Sequence, residues 1–175
     1  MAPVQLRFRF VTDGERPPRF RCMAPSNQIS VLSPLLVGVA ATFCTIIVHA
    51  LILAFIVAQV RRDVQLGRVG VRFWTDITLV TGVTLLVLAG HVVEVGLWAL
   101  AFELCGEFSN FAAAFYHSAV NYTTLGDDTA VMSARWRLLG PIEASDGMLM
   151  FGVSTAAIFA VIQRLIQTRF GTPNR

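Results

Sequence analysis

Residues 108–128 read FSNFAAAFYHSAVNYTTLGDD, and the way this stretch meets a membrane decides the fold. From Phe108 to Gly126 it holds 19 residues without a charge, close to the roughly 20 apolar residues that a helical span needs. Its second half argues against a span. Tyr116, His117, Ser118, Asn121, Tyr122, Thr123 and Thr124 make that half too polar for a face turned to lipid. Ser109 or Asn110 supplies an N-cap, so the spacing predicts a helix of about a dozen residues that ends in a Thr/Gly turn. Irregular backbone at membrane depth survives only when protein buries it or it lines water.

The surrounding chain is built for a bilayer. Hydrophobic residues make up 55% of its 175 residues and charged ones only 14%, more apolar surface than a soluble domain of this size can hide. No Asp, Glu, Lys or Arg occurs from Cys22 to Val60, and further uncharged runs extend from Ile77 to Val93 and from Gly147 to Gln163. These predict three transmembrane helices. An apolar run as long as the first exceeds the h-region of a cleaved signal peptide. The net charge of +3 comes from arginine alone and is too small and scattered for nucleic-acid binding. Cys22, Cys44 and Cys105 form neither a disulfide framework nor a metal pattern, and Cys44, inside an apolar run, reads as a packing residue.

Charge bias fixes how the middle segment folds. Arg61, Arg62, Arg68 and Arg72 follow the first span, and Arg164, Arg169 and Arg175 end the chain. Both groups favour the cytoplasmic side, which requires an even number of crossings between them. The second and last spans supply two, so the stretch between enters and leaves on one side. The expected fold is an all-α membrane protein: three transmembrane helices with one re-entrant pore helix and filter loop between the second and third. Residues 1–30 form a polar tail, 31–60 an extra outer helix and 74–170 a pore domain. Within the last, the outer helix takes 74–104, the pore helix and filter 109–128, and the inner helix 141–167. Three crossings place the C-terminus in the cytoplasm and the N-terminus outside. Five arginines before Cys22 resist that placement, and translation from Met23 would remove them.

A cation leaving water needs its hydration shell replaced by oxygens, and carbonyls and Thr hydroxyls turned toward one axis do this. Thr123, Thr124, Leu125 and Gly126 have suitable chemistry, with Asp127 and Asp128 beyond them; a plain capped loop is the alternative. From Ala114 to Leu165 the chain resembles the potassium-channel pore superfamily in its small bacterial form. AFYHSAVNYTTLGDD is similar to the pore helix and filter, and RLLGPIEASDGMLMFGVSTAAIFAV to the inner helix. The resemblance makes Gly147 a hinge glycine, gives Gly152 a second gating position, and implies a homotetramer in the cell (inner) membrane. One departure matters. The family's filter reads Thr-Val-Gly-Tyr-Gly-Asp, whereas Asp127 stands at the Tyr position and the second Gly is absent. That pattern is closest to the non-selective sodium/potassium type. It implies monovalent cations as the permeant ions, Ca2+ at the outer filter, and no cofactor.

Other ionisable groups lie within the spans. His91 and Glu94 share a helical face and are functional candidates by default. A hydrogen-bonded pair bracing the pore helix is one reading; proton or metal sensing, with His117 as partner, is the other. At about 1.5 Å per residue, His91 lies roughly 27 Å from Phe73 and His49 roughly 18 Å from Arg61. That depth difference of about 9 Å argues against a joint metal set. Glu143 and Asp146 read as helix-start residues near the mouth. No nucleophile–base pair or phosphate loop marks an enzyme. The rival functions are an intramembrane metal-dependent enzyme built on His91 and Glu94, and an accessory subunit of a larger complex.

Overall fold

The computed structural model describes residues 31–70, 72–126 and 132–170. They form four helices, α1 (Leu32–Gln65), α2 (Phe73–Leu104), α3 (Phe111–Tyr122) and α4 (Leu139–Phe170). Three are long and apolar enough to cross a membrane: α1, α2 and α4. At about 1.5 Å per residue, α3 is only about 18 Å long, well short of the roughly 30 Å hydrocarbon core. The chain is a multi-pass membrane protein.

Local chemistry sets the boundaries. Asn110, extended at φ −138°, caps α3 by accepting the Ala112 N–H on its side chain at 2.9 Å. Pro141 falls in the first turn of α4, where its missing N–H costs nothing. The first helix continues to Gln65 instead of stopping near residue 60. Arg61 and Arg62 are good helix formers whose long stems reach water from an apolar helix, so the turn waits for Gly67, at φ +65°.

The two ends of the pore-domain stretch meet. The N–H of Gly70, in the α1–α2 loop, donates to Asp76 at the start of α2. Asp76 also faces the Arg169 guanidinium at 3.5 Å, near the end of α4. A Cβ on Gly70 would touch Thr168 at 3.3 Å. The start of α2 and the end of α4 therefore share one end of the bundle, with α3 lying between their opposite ends. α1 packs on both α2 and α4. The core around Trp98, Ala99, Phe102, Ala114, Tyr122 and Leu139 is fully buried. Outward faces remain apolar: Leu36, Phe43 and Leu51 on α1, Met148, Leu149 and Phe159 on α4. Apolar surface that extensive requires lipid or a neighbouring subunit.

Candidate functional site

The last turn of α3 decides what residues 123–126 can do. Thr124 N–H bonds the Asn121 carbonyl at 2.8 Å and Leu125 N–H the Val120 carbonyl at 3.0 Å, the paired bonds of a Schellman cap. Such a cap needs a left-handed residue, and glycine usually supplies it. α1 and α2 end the same way on Gly67 and Gly106. At α3 the position is held by Thr124, at φ +62°, the one positive-φ residue other than glycine among the described residues. A β-branched side chain there is strained by about 1–2 kcal/mol. Strain of this kind persists only where the surrounding structure holds it, and it clusters at functional sites. Thr124, Leu125 and Gly126 are exposed in the single chain, while the Thr123 hydroxyl turns back to the Ala119 carbonyl at 2.7 Å. Asp127 and Asp128 lie outside the described residues.

α4 runs directly against this turn. A Cβ added to Gly147 would stand 2.2 Å from the Tyr122 carbonyl oxygen. Gly147 is therefore a contact glycine, where only a bare Cα lets the two backbones approach. Gly152 has no atom within 4 Å of where its Cβ would be, so its environment imposes no such demand.

On its other side Tyr122 is tied into a polar cluster shared by all four helices. The Tyr122 hydroxyl donates to Glu94 at 2.5 Å. Glu94, fully buried, also faces Nδ1 of His91 at 3.0 Å and Nδ1 of His49 at 2.8 Å. Ser154 Oγ sits 3.0 Å from His91 Nε2 and 3.2 Å from His49 Nε2. The expected His91–Glu94 pair bracing the short helix is present. The separation of His49 from His91 is corrected: their ring centroids are 5.5 Å apart. The depth argument failed because α1 runs on to Gln65. Counted from the true helix ends, His49 and His91 lie about 24 Å and 27 Å deep, nearly level.

His117 is not the partner of His91. It packs against the Phe102 and Phe108 rings, with Asn121 Nδ2 donating to its Nε2 at 2.9 Å. Glu143 and Asp146 are also corrected, because both are buried inside the bundle rather than placed at a mouth. Glu143 meets Ser118 of α3. Asp146 accepts from Trp98 Nε1 at 2.8 Å and Thr45 Oγ1 at 2.7 Å, joining α4, α2 and α1. Cys44 is exposed on α1 rather than packed. Burial, then Glu107, pushes the Cys105 thiol up, with Arg135 pulling the other way, so it stays protonated at neutral pH.

Thr45, Trp98 and Ser154 went unread in the sequence, and Tyr122 was read only as one of the polar residues of the short helix. The usable signal was the Thr45–His49 spacing of four, which puts two polar groups on one face of the charge-free stretch of α1 before Arg61. Residues 90–164 match the family model for ion channels. The match supports a potassium-channel-like pore superfamily. The matched stretch opens in the second half of α2 and closes within α4, enclosing Glu94, α3, Gly147 and Ser154. α1, with Thr45 and His49, lies outside the matched residues yet completes the polar networks. Comparisons with curated proteins and with solved structures returned no significant match.

Proposed function

We propose that the chain is one subunit of a homotetrameric cation channel, in which α3 is the re-entrant pore helix and residues 123–128 line the conduction path. The observation that carries this reading is the seat of α3 inside the matched stretch. Its C-terminal end carries the negative end of the helix dipole. It is seated on Gly147 and tied to α2 through Tyr122 and Glu94, and it ends in the strained Thr124 and in Gly126. One such loop supplies a quarter of a coordination cage, so four chains are needed around an axis. In this reading residues 74–170 are the pore domain and α1 is an outer helix. The C-terminus lies in the cytoplasm and the membrane is the cell (inner) membrane. An enzyme reading has less support, since the His49, His91 and Glu94 side chains are at most 7% exposed and leave a substrate little access.

Asp127 at the Tyr position of the potassium filter favours a pore that passes both Na+ and K+. With Asp128 it gives eight carboxylates per tetramer. Unit charges about 4 Å apart at an effective dielectric near 20 interact by roughly 4 kcal/mol, a repulsion that Ca2+ would relieve. Purified protein is expected to run as a tetramer by native mass and to conduct Na+ and K+ in planar bilayers, with block by external Ca2+. The double variant Asp127→Asn, Asp128→Asn should lose most of that block. A monodisperse monomer without conductance would overturn the reading.

A separate expectation concerns Thr124. Thr124→Gly relieves the left-handed strain and should stabilise the folded chain by about 1 kcal/mol. It also removes a hydroxyl beside the ion path and should change the Na+/K+ permeability ratio. Thermal unfolding in detergent and reversal potentials test the two halves independently.

A further inference from the structure

We propose that His49, His91 and Glu94 form a buried site for one divalent transition-metal ion of the Zn2+ type. One ligand atom from each of these residues lies within 4.8 Å of the others. Two imidazoles and one carboxylate form a donor set that zinc accepts in tetrahedral geometry. Bonds of about 2.0–2.2 Å at tetrahedral angles set ligand atoms roughly 3.4 Å apart. The His49 Nδ1–Glu94 Oε1 and His91 Nδ1–Glu94 Oε2 separations are 2.8 and 3.0 Å. These two contacts reach different oxygens of Glu94 and fall about half an ångström short of that spacing, while all three ligand atoms lie within 4.8 Å of one another, so an ion is admitted by a small opening at the carboxylate and adjustment between the two rings.

The surroundings fit an ion better than they fit an empty cluster. Without an ion, both Nδ1 atoms carry hydrogens donated to Glu94. Two Nε2 lone pairs then face Ser154, whose hydroxyl has one proton to give. With an ion on the two Nδ1 atoms, each ring carries its hydrogen on Nε2. Ser154 Oγ, 3.0 and 3.2 Å away, can accept both. Such outer partners orient metal-binding histidines. Tyr122 donates to Glu94 and stands 3.2 Å from His91 Nδ1, so its hydroxyl borders the ligand set. Charge points the same way. Asp146 binds Thr45, one turn from His49, and no Lys or Arg is among the buried polar residues described. A divalent cation would offset the buried Glu94 carboxylate.

One imidazole comes from α1 and lies outside the matched stretch, so the ion would fasten α1 to α2 and, through Tyr122, to the turn at Thr124. That consequence for current rests on the pore reading; binding itself does not. The test uses detergent-purified chain without a polyhistidine tag, stripped with chelator and dialysed against Zn2+ or Co2+. The expected results are one Zn2+ per chain by elemental analysis and the intense visible absorption of tetrahedral Co2+. His49→Asn and Glu94→Gln should each lower affinity at least a hundredfold. Ser154→Ala should lower it about tenfold, and Cys44→Ser should leave it unchanged. Monodisperse wild-type chain that binds no Zn2+ would overturn the proposal, as would a folded His49→Asn chain that binds as tightly as wild type. Metal binding in a chain that conducts nothing would sink the pore reading and leave the site standing.

Discussion

Gly147→Ala is expected to abolish the assembled, conducting form of this protein. The added methyl carbon would stand 2.2 Å from the Tyr122 carbonyl oxygen, 3.0 Å from its carbonyl carbon and 3.1 Å from its ring. Relief requires α3 and α4 to separate by about an ångström, and overpacking of this kind costs about 1–3 kcal/mol. The obstacle is backbone, which cannot swing aside as a flexible side chain can. Nor can α3 drift freely, since Tyr122 is held by Glu94 and Ser118 by Val95 and Glu143. The displaced element would be the turn that ends at Gly126.

Gly152→Ala is the control, five residues further along the same helix. Nothing lies within 4 Å of its added methyl, and replacing a helical glycine by alanine favours the helix by about 1 kcal/mol. This variant should fold and assemble as well as wild type. If Gly147 served only as a hinge, its replacement would change opening probability and leave stability and assembly intact. Thermal unfolding and size-exclusion profiles of the two variants, followed by bilayer recording, separate contact from hinge. A Gly147→Ala chain that assembles and conducts like wild type would refute the contact argument.

The fold was legible because lipid imposes coarse rules. Long charge-free runs became α1, α2 and α4, and the stretch 108–126, with its polar second half, became a 12-residue helix too short to span. Local chemistry alone placed Pro141 in a first helical turn and narrowed the N-cap of α3 to Ser109 or Asn110, of which the structure uses Asn110. What escaped was the inside of the bundle. Glu143 and Asp146 looked like solvated helix-start residues because they sit near Pro141. Their burial depends on Ser118, Trp98 and Thr45, donors that other helices bring from far along the chain. His49 was misplaced by a single boundary: four more residues of α1 are about 6 Å of depth, enough to turn a separated pair into neighbours. Periodicity finds faces, but register between helices depends on where each helix stops.

The second large effect is expected at Glu94. Three donors converge on this one carboxylate: the Tyr122 hydroxyl and a ring nitrogen each of His49 and His91. A single interhelical hydrogen bond within a membrane is worth only about 0.6 kcal/mol on average and at most about 1.7, so loss of any one contact should be mild. Glu94→Ala is different. It strands three buried groups at once and opens a cavity in the layer that joins all four helices. Breaking buried charged networks costs about 3–5 kcal/mol, and this variant should lose most of its stability in detergent. Tyr122→Phe, which removes one donor and little volume, should cost about 1 kcal/mol. The Glu94→Gln, Tyr122→Phe double variant gives the coupling. With Tyr122 already silenced, the amide at 94 has one fewer unsatisfied neighbour, so the double should be less unstable than the two singles added together by about 1 kcal/mol. Denaturant titration of the four proteins after exhaustive chelation measures this without contribution from a bound ion. Strict additivity would mean that Glu94 does not hold α3 through Tyr122, and the anchoring of the turn at Thr124 would have to be sought at Ser118 and Glu143 instead.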